Sequence, residues 1–194
     1  MKNNNIFSRK TRETDITGSI DLYGRGEIKV DTGIGFFDHL LQSFVFFAGM
    51  DLELSVKGDL QVDGHHSVED TGIVLGQAIA KYLDRTSTIN RYGFYILPMD
   101  EVLTRVTLDI SGRGYLDYNV DFTRDKIGEL ALENIKEFFQ ALVREAQLTL
   151  HIDVLKPGND HHQAESIFKG LGKAFQQAIA LSQNKVQSTK YESS

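Results

Sequence analysis

The chain has 194 residues, 41% of them hydrophobic, which is ordinary for a globular protein that buries a core and excludes disorder as the default state. A net charge of −6 argues against a partner held through nucleic-acid phosphates, since such binders carry a basic face, and leaves room only for a small basic pocket. There is no cysteine, so disulfides and thiolate ligands are excluded, and any metal site must use imidazole and carboxylate, which suits manganese, iron or zinc.

The first segment, MKNNNIFSRKTRET, lacks the apolar core of a signal peptide, and no later run approaches the ~20 apolar residues of a spanning helix. A soluble cytoplasmic protein with no membrane and no nucleic-acid partner is expected. Strands are expected in the segment ETDITGSIDLYGRG, residues 13–26. Phe37, Leu40, Leu41, Phe44 and Ala48 then recur at helical spacing and read as the core face of a helix. Leu52, Leu54 and Val56 alternate with Glu53, Ser55 and Lys57, which predicts a half-buried strand with one wet face. A second helical pattern, roughly 67–83, follows the run His65, His66 and Glu69.

The same order then returns. EVLTRVTLDISGRG, residues 101–114, aligns without gaps on residues 13–26, pairing Glu13 with Glu101 and the GRG of Arg25 with that of Arg113. Ile135, Phe138, Phe139, Leu142 and Ala146 form the second helical stripe; Leu148, Leu150, Ile152 and Val154 form the second alternating strand. A last helical pattern, roughly 162–181, follows His161, His162 and Glu165. Gly72, Gly76, Gly170 and Gly172 lie inside the two later helices, where each costs about 1 kcal/mol relative to alanine, so they predict close approach of another backbone. The expected fold is α+β, with two similar halves from an internal duplication, each an antiparallel or mixed sheet with helices on one face. Its repeats span 1–90 and 91–181, packed as one unit, and a tail covers 182–194.

Four of the six histidines stand in the two HHxxE runs, at equivalent places in the two halves. The glutamate follows at i+4 and i+3, which places imidazole and carboxylate on one helix surface and suits a divalent metal. Adjacent histidines do not easily face one ion, so each pair is expected to feed two metals shared between the halves. The alternative is a set of polar residues that merely begin a helix. His39, in GIGFFDHLL, is a further candidate ligand, and its duplicate position holds Glu137. His151 lies on the polar face of a strand opposite Glu53 in the repeat and is left out of the site. Glu13 and Glu101 are candidates for acid or base work. Arg91, Arg113, Lys169, Lys173, Ser188, Thr189 and Lys190 offer cations and hydroxyls for an anion.

The runs TGIGFFDHLLQSF, DGHHSVEDTGIVLGQAI and NDHHQAESIFKGLGKAFQQAI, with RxTxET, INRYG, SGRG and STK, resemble the imidazoleglycerol-phosphate dehydratase family over residues 9–190. The resemblance implies a fold of the ribosomal protein S5 domain 2-like kind, an assembly of 24 subunits with active sites between neighbours, and two Mn²⁺ per site. It implies conversion of imidazole glycerol phosphate to imidazole acetol phosphate in histidine biosynthesis. By position, it implies metal ligation by His39, His65, His66, Glu69, His161, His162 and Glu165, and acid/base work by Glu13. Arg91, Arg113, Lys169, Ser188, Thr189 and Lys190 fall where the substrate and its phosphate are held. Many relatives have a histidine where this chain has Glu137, whose carboxylate can also serve manganese, and the tail reads STKYESS where relatives often place a glycine after the lysine. A phosphatase domain, fused in some relatives, has no room here, so a monofunctional enzyme is expected. Two other readings use the same residues: a di-metal hydrolase acting on a phosphoester or amide, and a non-catalytic metal-binding protein.

Overall fold

The structure is a computed structural model that describes residues 5–83 and 89–182. In the first half, β1 (Asn5–Lys10), β2 (Thr14–Asp21), β3 (Ile28–Asp31) and β4 (Asp51–Gly58) form a sheet ordered β1-β2-β4-β3, accompanied by α1 (Gly35–Ala48) and α2 (His65–Leu83). The second half repeats this plan. Strands β5 (Tyr92–Met99), β6 (Val102–Asp109), β7 (Tyr115–Asn119) and β10 (Thr149–Lys156) are ordered β5-β6-β10-β7, with α3 (Glu133–Ala146) and α4 (Asp160–Ile179). Both sheets are mixed: β3 runs parallel to β4 and β7 parallel to β10, because α1 and α3 carry the chain across between them. A short hairpin, β8 (Lys126–Ile127) with β9 (Leu130–Ala131), has no counterpart among the described residues of the first half.

The apolar stripes read from the sequence are the buried faces of α1 and α3, from Phe37 to Ala48 and from Ile135 to Ala146. Each helix stops on a residue in the left-handed conformation. At the end of α1 this is Gly49, while the duplicate position after α3 holds Gln147, where the same backbone costs about 1 kcal/mol.

Helices of one half pack on helices of the other, α1 on α4 and α2 on α3. The glycines explain how closely. A Cβ added at Gly72 would lie 2.6 Å from Phe138 O, one at Gly76 2.8 Å from Leu142 O, and one at Gly172 2.6 Å from Phe44 O. Gly170 has a different reason: its added Cβ would meet the Val106 side chain of β6, so it fits the helix to its own sheet rather than to another backbone. Phe37, Phe138, Phe139 and Phe168 join ring to ring, with Phe37–Phe138 centroids 5.4 Å apart and Phe139–Phe168 5.0 Å apart. Burial of such a side chain is worth about 1.5–3 kcal/mol, so one core ties the halves together.

The order of these contacts fixes direction. Gly72 faces Phe138 while Gly76 faces Leu142, so α2 and α3 run the same way; Phe36 faces His161 while Phe44 faces Gly172, so α1 and α4 do too. Gly64, just ahead of α2, lies against Ile34 and Asn134, the starts of α1 and α3. All four helix N-termini therefore meet at one end of the molecule. No helix among the described residues is long and apolar enough to cross a membrane.

Candidate metal centre

At this shared end, α1 presents His39 and α4 presents His161 and Glu165. Their donor atoms lie within 4.8 Å of one another. The Glu165 carboxylate bridges the halves: Oε1 is 3.3 Å from His39 Nε2 and Oε2 is 3.3 Å from His161 Nε2. The spacing of four residues in α4 puts His161 one turn below Glu165, and one turn further Lys169 Nζ stands 2.7 Å from Glu165 Oε1. Glu165 is nearly buried, while both histidines are half exposed. Burial alone would raise its carboxyl, but the hydrogen bond and charge of Lys169, with His39 opposite, outweigh it and hold the group below its usual range. Three such donors with open access on the imidazole side are a suitable set for a borderline or hard divalent ion.

The pseudo-symmetric corner is built from α2 and α3. His65 Nε2 lies 3.5 Å from Glu69 Oε2, again at i,i+4, and its Nδ1 is 3.3 Å from Asn134 Oδ1. Asn134 occupies in α3 the place that Phe36 occupies in α1, where the ring packs 4.8 Å from that of His161. Glu137 is half-buried on the same helix and, among the described residues, completes no three-donor cluster with His65 and Glu69.

The second histidine of each pair faces elsewhere. The rings of His65 and His66 are inclined by 83° and those of His161 and His162 by 85°, so the members of a pair serve different surroundings. His66 Nδ1 is 3.1 Å from both Asp59 oxygens, and its Nε2 lies 3.8 Å from Glu13 Oε1. The hydrogen bond to Asp59 raises the His66 pKa above 6.5, with partial burial opposing it. His162 Nδ1 lies 3.2 Å from Glu101 Oε2, with Asp100 at 4.0 Å. Glu101 also accepts the Asn159 backbone N–H at 2.7 Å, and these bonds, Asn159 first, hold its carboxyl below the usual range.

The sequence model of the imidazoleglycerol-phosphate dehydratase family matches residues 32–175, across both histidine pairs. The chain belongs to this family. The imidazoleglycerol-phosphate dehydratase of Clostridium botulinum strain Alaska E43 is 51% identical over 185 residues, covering 95% of each chain. That of Aminomonas aminovorus is 48% identical over 181 residues, covering 93% of this chain and 92% of the relative. The crystal structure of the dehydratase from Staphylococcus aureus N315 superposes with a TM-score of 0.82 at 38% identity, covering 91% of this chain and 99% of the other. That of Pyrococcus furiosus gives 0.82 at 37% identity, covering 95% and 98%. The α+β fold of two similar halves is thus shared with solved dehydratases.

Arg91 and Arg113 lie apart from the cluster. Arg91 grips Asp109 with two hydrogen bonds of 2.6 and 3.0 Å, and its backbone N–H reaches Ala178 O near the end of α4. At 1.5 Å per residue, that is about 25 Å along the helix from His161. Arg113 is exposed in the turn between β6 and β7. Ser188, Thr189 and Lys190 lie outside the described residues. Asp59, Asn134 and Phe36 are new members of the site. The spacing that aligns His39 with Glu137 sets Asp59 against Pro157, so the repeat carried no sign of it, and the other two sit on the flanks of apolar helical stripes.

Proposed function

We propose that this dehydratase removes water from imidazole glycerol phosphate to give imidazole acetol phosphate, its step in histidine biosynthesis, as a carbon–oxygen lyase of the cytoplasm. The observation that carries the reading is the Glu165 carboxylate set between His39 and His161 at 3.3 Å from each, within a chain of the dehydratase family. The donor set, all nitrogen and oxygen with the carboxylate shielded from water, fits Mn²⁺.

Two Mn²⁺ per site would be held by His39, His161 and Glu165, by His65 and Glu69, and by the differently oriented His66 and His162, with Glu137 the least well supported. When bound, the metal acts as a Lewis acid toward the imidazole ring and favours loss of its proton. Glu13, half exposed beside His66, would take and return the proton of the substrate carbon. Lys169 supplies a fixed positive charge one turn above Glu165 for the anionic end of the substrate. Arg91 and Arg113 are assigned to the phosphate, together with Ser188, Thr189 and Lys190 of the 182–194 tail.

The anchoring of Arg91 near the end of α4, about 25 Å along the helix from His161, favours sites shared between copies of the chain, in a homo-oligomer of 24. Within each copy the repeats are assigned to 1–90 and 91–181. The test is turnover of imidazole glycerol phosphate by metal-stripped protein resupplied with Mn²⁺. Manganese-dependent ketone without free phosphate supports the dehydratase, release of phosphate supports a hydrolase, and no product supports a binding protein.

A further inference from the structure

Glu13 and Glu101 occupy duplicate positions, yet they meet their histidines from opposite sides. Glu101 approaches Nδ1 of His162, at 3.3 and 3.2 Å from its two oxygens, whereas Glu13 approaches Nε2 of His66, at 3.8 Å. In the first half the Nδ1 side is taken by Asp59, at 3.1 Å. The second half has no acid at the position aligned with Asp59, which is Pro157. The space is opened instead by Gly158, where an added Cβ would lie 2.4 Å from Glu101 Cγ, so only glycine admits the longer glutamate. The Asn159 N–H, 2.7 Å from Glu101 Oε1, then fixes it there.

We infer that Asp59 and Glu101 are a matched pair of positioning residues, which reached the same task from non-equivalent positions, and that Glu101 is thereby withdrawn from the acid/base role its alignment with Glu13 suggests. An ionised carboxylate only accepts, so each obliges the facing Nδ1 to carry the proton and leaves Nε2 with its lone pair, ready for a metal. His65 is held the same way by the Asn134 oxygen. The inference rests on the metal-ligand reading above, but its readout does not require metal.

The test is solid-state NMR of metal-free protein labelled with ¹⁵N histidine, with Mn²⁺ binding measured in parallel by titration. The wild type is expected to show His66 and His162 protonated at Nδ1 and bare at Nε2; the opposite tautomer at both would overturn the inference without any variant. Glu101→Ala is expected to release the His162 signal into both tautomers and weaken one class of Mn²⁺ about 10- to 100-fold, with the His66 signal unmoved. Glu101→Gln keeps an acceptor oxygen and should restore both. Loss of Mn²⁺ in Glu101→Gln equal to that in Glu101→Ala would make Glu101 a ligand, and lost turnover with tautomer and metal intact in Glu101→Ala would make it a catalytic residue; either result sinks the positioning role. Wild type that binds no Mn²⁺ but keeps the predicted tautomers would count against the metal reading alone.

Discussion

Lys169 Nζ lies 2.7 Å from Glu165 Oε1, so the nearly buried carboxylate of the cluster already holds a cation on the oxygen that faces His39. A metal between the histidines must share that carboxylate. Lys169→Met is therefore expected to tighten Mn²⁺ binding slightly while raising the KM for the phosphorylated substrate about 10- to 100-fold, the cost of one charge-assisted hydrogen bond. Titration calorimetry and steady-state kinetics on the same preparation separate the two. Weakened Mn²⁺ binding would mean that Lys169 serves to aim Glu165.

The same pair sets an acid limit. The folded pKa of Glu165 is held below its ordinary 4.5, so its ionised contacts stabilise the fold above that value and are lost as pH falls through the lower folded value. Metal-free protein should thus lose stability below pH 4.5, and Glu165→Gln should flatten part of that slope. Urea midpoints taken across the acid range read this directly. An unchanged slope would assign the acid loss to other carboxylates.

Asp160, almost fully buried at the start of α4, accepts from Thr123 N and Oγ1, Arg124 N and Gln163 Nε2. It ties the loop before β8 to the turn that carries His161. Asp160→Ala removes four hydrogen bonds to a buried carboxylate at once and is expected to cost about 3 kcal/mol, measured by chemical denaturation. A cost under about 1 kcal/mol would show that water replaces the carboxylate there.

Gly72→Ala drives a methyl toward Phe138 O, where an added Cβ would lie 2.6 Å away, with backbone rather than a flexible side chain in the way. Overpacking of this kind costs about 1–3 kcal/mol and should separate α2 from α3. Gly170→Ala meets only the Val106 side chain, with Cγ2 at 3.0 Å, and should be milder. Thermal melts of the two variants side by side decide whether the ranking holds.

Chelation is expected to abolish turnover while leaving the circular dichroism of the chain unchanged, because none of the proposed ligands belongs to the phenylalanine core or to the strands of either sheet. Restoration by Mn²⁺ completes the experiment. Unfolding on chelation would place the metals in the folding free energy as well as in the chemistry.

Much of the fold was legible because two independent signals agreed. The apolar stripe of α1 and that of α3 each predicted a helix, and their alignment predicted that the neighbours would correspond. Alternation in Leu52, Leu54 and Val56 predicted a strand with one wet face, but such a period carries no information about strand direction, so the parallel pairing of β3 with β4 was not readable. The β8 and β9 strands are two residues each and have no partner among the described residues of the other half, which left nothing to detect. In the site, His39, His161 and Glu165 were legible through residue type and spacing, and the structure brings them together. Asp59 was hidden by its alignment with Pro157, and the closeness of Gly158 to Glu101 is visible only in three dimensions.

The crossed packing of α1 on α4 and α2 on α3 bears on the origin of the chain. His39 comes from one repeat, and His161 with Glu165 from the other, so this donor set draws on both repeats. An ancestor of half this length would have needed a second copy of itself to assemble the His39, His161 and Glu165 cluster. Fusion made that partnership permanent at one to one. It also released the two corners from sameness, and the present chain records the drift in Phe36 against Asn134 and His39 against Glu137.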